Sequence, residues 1–226
     1  MKKILVKGPA LTRSGYGEHT RFILRSLRSR EDLFDIYSFP IVWGNTGWIY
    51  ADTEERRWLD SIIRKTALAS QQNILNPDVS MQVTIPNEWE NIAPINIGVT
   101  AGIETTRVAP VWIEKGNLVN KIITISEFSK NSYANTQYTV TDNNTNQIID
   151  QNYNCKTPIE VVHYPVRQTD TKPIDLKLTT DFNFLVTAQW SPRKNLENTI
   201  AWFIEEFLNE EVGLILKINV VNNSII

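Results

Sequence analysis

The chain has 226 residues, 42% of them apolar and 21% charged, with a formal net charge of −2. That suffices for one large α/β domain or one and a half, and the near-neutral balance excludes a global electrostatic case for nucleic acid or an anionic membrane surface. The lone Cys155 cannot form an internal disulfide and suits a reducing compartment, and His19 and His163, far apart in sequence, support no metal site.

Ile4–Val6, behind Lys2 and Lys3, reads as a short buried strand and is too short for a signal peptide. No stretch approaches the ~20 apolar residues of a membrane span, so a soluble cytoplasmic protein is expected. The loop GPALTRSGYG follows, with Gly8, Gly15 and Gly17, and then a helix over 18–27 with Thr20, Ile23, Leu24 and Leu27 on one face. Arg21, Arg25, Arg28 and Arg30 read as its solvated face. Residues 34–39 form a second strand, and Trp43–Tyr50 a tryptophan- and glycine-rich loop. Asp52 and Glu55 have capping-box spacing ahead of a helix carrying Trp58, Leu59, Ile62 and Ile63.

Val79, Met81, Val83 and Ile85 alternate with Ser80, Gln82 and Thr84, which predicts a strand with one wet face, near a sheet edge. Residues 95–100 form a buried strand. Pro110 starts and Gly116 stops a short helix. Residues 121–126 are buried strand, and Ser126 caps a helix from Glu127 to Tyr133. The segment 134–157, dominated by Asn, Thr and Gln, has few apolar residues to bury. It reads as a surface insertion with a small hairpin around Tyr138–Val140. Residues 158–166 return to strand, and the polar stretch 168–177 with Pro173 is a linker. Beyond it come a strand over 182–188, an amphipathic helix over 195–207 with Ile200, Phe203, Ile204 and Phe207 on one face, and a strand over 212–220.

Continuously apolar strands alternating with helices predict a parallel sheet with helices on both faces. The division expected is a first Rossmann-like domain over 1–167, a linker over 168–180 and a second, partial one over 181–226. A strand–helix–strand piece cannot close its own sheet, so the sequence is expected to be C-terminally incomplete or to dock on something else.

Ligands of open parallel sheets bind beyond the carboxyl ends of the strands. Four such ends carry glycines, hydroxyls or paired charge: Gly15-Tyr16-Gly17, then Gly102-Ile-Glu104-Thr105-Thr-Arg107, Ser126-Glu127-Phe-Ser-Lys130, and Ser191-Pro-Arg193-Lys194-Asn195. The first is a tight turn or a phosphate-binding one. In the second, Glu104 either serves a ligand or pairs with Arg107. The third is a helix cap or a ligand contact. In the fourth, two cations beside a helix start oppose the helix dipole, which predicts a bound anion rather than a solvated charge pair.

The run FNFLVTAQWSPRKNLENTIAWFIEEF resembles the opening of the second domain in retaining group 1 glycosyltransferases of the GT-B fold. KIITISEFSKNSY and IEVVHYPV resemble further segments of that family, and the likeness spans Lys3 to about Phe207, the Asn-rich segment excepted. The resemblance implies two Rossmann-like domains facing each other across a cleft, a nucleotide-sugar donor, a glycan or other small acceptor, no metal and no further cofactor. It implies that Lys194, with Arg193 and Asn195, holds the donor diphosphate, and that Gly15, Tyr16 and Gly17 approach the phosphates and the transferred sugar. It puts Glu104 near the reacting sugar or acceptor, and Thr105, Ser126 and Glu127 along the cleft. Gln189 stands where the family has an arginine, with Arg193 as its substitute. The family's paired-glutamate motif lies beyond Ile226; Glu197 and Glu205 have its spacing but sit on the wrong helix. The chain alone is therefore expected to transfer sugar poorly.

Two other readings stand beside this one. A non-catalytic nucleotide-sugar or glycan-binding module or remnant would use Trp43, Trp48 and Tyr50 to stack on sugars. A Rossmann oxidoreductase would need a third glycine, and Glu18-His19-Thr20 follow Gly17 instead.

Overall fold

The computed structural model describes residues 1–219. By internal contacts the chain divides into two units, the first Met1–Trp43 with Ile49–Pro165, the second Gly44–Trp48 with the chain from Val166.

The first unit is an α/β layer structure, Rossmann-like, around one parallel sheet. Its elements in chain order are β1 (Lys2–Gly8), α1 (Gly15–Arg28), β2 (Phe34–Pro40), α2 (Glu54–Gln71), β3 (Val79–Val83), β4 (Ile95–Thr100), α3 (Pro110–Gly116), β5 (Lys121–Thr124), α4 (Glu127–Ala134), the hairpin β6 (Gln137–Thr141) and β7 (Ile148–Asn154), and β8 (Ile159–Val161). The strand order is β2-β1-β3-β4-β5-β8, all parallel, with Ile4 opposite both Ile36 and Val79, and Val99 opposite Val83 and Ile123. Alternation along the strands feeds two main cores. Ile4, Val6, Val83 and Val99 pack with Leu24 of α1 and Leu59 and Ile62 of α2, and Ile123 borders them. Its neighbour Ile122 belongs to the other core, with Trp89, Val108, Ile113, Val119 and Tyr133.

Several expectations need correction. β3 is not near an edge but central, between β1 and β4. Its polar residues Ser80 and Gln82, and Thr84 just past its end, are fully buried. The segment 86–93 closes over them: Gln82 Nε2 donates to the Glu90 carbonyl at 2.6 Å, Gln82 Oε1 accepts from Glu90 N at 2.9 Å, and Asn96 Oδ1 accepts from Ile92 N and Ala93 N, both at 3.0 Å. A loop whose backbone meets the side-chain amides, and whose Trp89 and Ala93 are themselves buried, dries this face. Gly98 admits the buried Trp89, whose ring would lie 2.6 Å from a Cβ there.

The cap of α2 is Thr53, accepting from Arg56 N at 3.1 Å, rather than Asp52. Gly116 is the last residue of α3, and the cap is Asn117. The polar segment is less superficial than its composition predicts, because Tyr138, Tyr153 and Cys155 pack against the second core. The strand predicted over 158–166 covers only Ile159–Val161.

The second unit contains β9 (Phe182–Gln189), a 3-10 turn (Pro192–Lys194), α5 (Leu196–Phe207) and β10 (Val212–Asn219). β9 and β10 pair in parallel, Phe182 opposite Val212. Phe184 rests on Phe203 and Phe207 with ring centroids 6.0 and 5.4 Å apart. Ile204, predicted on that face, is half exposed. Val220, placed in the last strand by the sequence, lies outside the described residues.

Candidate functional site

The first unit gathers its chemistry at the carboxyl ends of β1, β4 and β5. Ser14 caps α1 by accepting from Gly17 N at 2.9 Å, and its hydroxyl also meets Thr12 Oγ1 at 2.7 Å. The glycines of this turn do different work. A Cβ on Gly17 would stand 2.2 Å from the Thr12 carbonyl oxygen, so only glycine lets the loop close on the helix. A Cβ on Gly15 would meet nothing within 4 Å. Among the described residues the N–H groups of Gly15 and Tyr16 have no acceptor, as expected for the first turn of a helix. The turn thus offers donors, the positive end of a helix dipole and open space at Gly15, a combination suited to a phosphate.

Arg21 holds the turn, and the sequence reading missed it. Far from being a solvated cation it is 5% exposed, and its Nη1 donates to the carbonyls of Ala10 (2.7 Å) and Thr12 (2.9 Å). Its Nε and Nη2 grip Glu18 Oε2 at 3.0 and 2.7 Å. Arg25 joins Glu18 at 2.9 Å and also bonds Glu55 of α2. The signal was present: Gly17, Arg21 and Leu24 share one face at helical spacing. Burial works to raise the Glu18 carboxyl, but the bonds from Arg25 and Arg21 outweigh it and hold it below its ordinary value.

Tyr16 reaches the end of β4. Its hydroxyl lies 2.9 Å from Thr100 Oγ1 and accepts from Ala101 N at 3.1 Å. Burial first, then the carboxylates of Glu88 and Glu104, push the phenol above its ordinary value against those two bonds. Its ring packs on Trp43, with centroids 4.5 Å apart. Gly102 has a φ of +81°, and a Cβ there would stand 2.1 Å from Ser129 Oγ, so α4 sits directly against this loop. Ser126 caps α4 as predicted, accepting from Ser129 N at 3.1 Å.

Glu104 is exposed in the following loop. It forms no ion pair with Arg107, whose Nη2 donates to the Gln137 carbonyl at 3.0 Å while its guanidinium lies 4.8 Å over the Tyr138 ring. The Thr105 hydroxyl turns back to the Arg107 carbonyl at 2.8 Å. Glu127 is exposed, 3.8 Å from Lys130.

In the second unit Arg193 and Lys194 are exposed and enter no ion pair among the described residues. Asn195 takes the left-handed conformation (φ 50°, ψ 41°), which asparagine tolerates better than most residues. Its carbonyl accepts from Thr199 N at 3.1 Å, opening α5, and its Oδ1 accepts from Asn198 Nδ2 at 2.8 Å. Among the described residues no group of three His, Cys, Asp or Glu side chains could hold a metal ion, and no helix is long and apolar enough to cross a membrane.

No protein-family model matches this sequence, and comparisons with curated proteins and with solved structures found no match.

Proposed function

We propose that the chain is a GT-B-type glycosyltransferase, moving a sugar from a nucleotide-sugar donor to an acceptor with retention at the anomeric carbon. The observation that carries this reading is the first turn of α1, where two N–H groups have no acceptor among the described residues, a Cβ at Gly15 would meet nothing within 4 Å, and Arg21 bonds the loop carbonyls of Ala10 and Thr12. Such a turn lets backbone approach a diphosphate closely and stabilises the charge that develops on the departing nucleoside diphosphate. Arg193 and Lys194, exposed cations just ahead of α5 that enter no ion pair among the described residues, take the diphosphate in this reading. Glu104, exposed on the loop after β4, contacts the transferred sugar or the acceptor.

The test is calorimetric titration with UDP, GDP and ADP, followed by assay of the matching nucleotide sugars. One nucleoside diphosphate is expected to bind, and Gly15→Asp to weaken it at least tenfold. That carboxylate favours the helix start, so the loss would not come from unfolding. Lys194→Ala should weaken binding similarly. Failure of all three nucleotides to bind, or indifference to both substitutions, overturns the proposal. Binding without sugar turnover favours the non-catalytic nucleotide-sugar-binding module.

A further inference from the structure

Beside α1 the first unit contains a cleft of about 460 Å³, within the size range of small-molecule sites. Its floor is Met81, Val99 and Ile123 from three adjacent strands; Phe22 of α1 stands on one side, and Val162 and Pro165, which follow β8, on the other. Among the described residues no Lys, Arg, Asp or Glu lines it. An ion entering here would shed its hydration without meeting an opposite charge, so the cleft selects against diphosphates and for neutral molecules.

Among the described residues the chain's two histidines, with Ser26, are its polar lining. They are differently placed. His163 has its Nδ1 at 3.0 Å from the Ile125 carbonyl. His19 is 6% exposed, and its Nδ1 is buried without a partner among the described residues. Buried polar atoms are rarely left so, and each one asks for an explanation. The ring of Tyr164 meets the His19 ring edge-on with centroids 4.7 Å apart, and Tyr164 is itself 40% exposed on the segment leaving β8. Burial lowers the imidazole pKa to about 4, so at neutral pH His19 is uncharged. Its Nδ1 then donates or accepts according to tautomer, and a hydroxyl answers either.

We infer that this cleft binds an uncharged small molecule with an apolar body and a hydroxyl group, the body lying over Met81, Val99 and Ile123 and the hydroxyl bonding His19 as Tyr164 swings aside. The cleft's lining shares no residue with the turn at Gly15.

The probes are 2-naphthol and 2-methylnaphthalene, alike in shape, but only the first able to donate or accept a hydrogen bond. Since both histidines line the cleft, long-range ¹H–¹⁵N imidazole spectra report on it without background from other histidines. 2-Naphthol is expected to shift both rings saturably with one-to-one stoichiometry, and 2-methylnaphthalene to bind about fivefold more weakly, the factor that one neutral hydrogen bond supplies. His19→Phe should bind both probes equally. Val162→Trp, at an exposed position where folding is safe, should weaken both, and Ile123→Trp should abolish both while cooperative melting is kept. No saturable shift in the wild-type chain, equal binding of the probes, or undiminished binding in Ile123→Trp overturns the inference. So does probe binding that falls as the protein is concentrated and a dimer appears in sedimentation, which would put a second copy in the cleft.

Discussion

Tyr16 and Thr100, 84 residues apart in sequence, share a hydrogen bond of 2.9 Å that ties the first turn of α1 to the end of β4. The same phenol accepts from Ala101 N, so the one side chain sets two of the loops at the carboxyl rim of the sheet. Tyr16→Phe keeps the ring on Trp43 and removes only the tie. The expected cost is about 1–2 kcal/mol in urea unfolding, since Thr100 Oγ1 and Ala101 N lose a partner together. Hydrogen exchange should speed at Ala101, with the middle of β1 unchanged. Unaltered exchange at Ala101 would show that the tie does not hold the loop.

Arg21 tests whether the turn is clamped or merely folded. Arg21→Met keeps much of the apolar stem and deletes the donors to Ala10, Thr12 and Glu18. Two carbonyls and a part-buried carboxylate are then short of partners, which predicts a loss of about 2–4 kcal/mol. Arg21→Lys keeps the charge but lacks the planar fork, and should recover less than half of it. Full recovery by lysine would mean that charge, not geometry, is what the site requires.

The three glycines Gly15, Gly17 and Gly98 make a graded series, because each would meet different neighbours if given a methyl group. Gly15→Ala enters open space at a helix start and should be neutral or stabilise by up to about 1 kcal/mol. Gly17→Ala drives a carbon into the Thr12 carbonyl, and Gly98→Ala drives one into the Trp89 ring; both should cost about 1–3 kcal/mol or more. Thermal unfolding of the three variants checks the order. A destabilised Gly15→Ala would mean that the space beside it is not open in solution.

Much of this architecture is legible in the sequence, and what is not shares a cause. β1 and β5 carry short unbroken apolar runs, Ile4–Val6 and Ile122–Ile123, as strands covered on both faces do, and Ser126 sits one residue before its helix and caps it. Ser80 and Gln82 mislead because alternation reports which side chains are polar, not whether water or a backbone loop answers them. Arg21 misleads in the same way: an arginine reads as solvent-facing until the carbonyls it binds, supplied by a loop without pattern, are seen. The cleft at His19 draws its floor from three strands distant in sequence, a coincidence that no local period encodes.

His19 gives the chain a pH dependence of definite sign. Burial lowers its folded pKa from 6.5 to about 4, so the unfolded chain takes up a proton in a range where the native state does not. Its contribution is complete above pH 6.5, declines as pH falls from there to about 4, and is exhausted below, for a total of about 3 kcal/mol. Glu18 and Asp35 act in a lower window. In both, burial works to raise the carboxyl, but Arg25 and Arg21 at Glu18, and Lys65 at Asp35, outweigh it, so each stabilises above its ordinary value and is lost only in stronger acid. Urea unfolding at pH 7, 6, 5 and 4.5 should therefore show the wild-type chain weakening steadily, and His19→Phe weakening much less over the same interval. Below pH 4 the two should fall in parallel as the carboxylates protonate. An equal slope in the two proteins between pH 6.5 and 4.5 would mean that His19 already protonates within the fold, and that its Nδ1 has found a partner in solution.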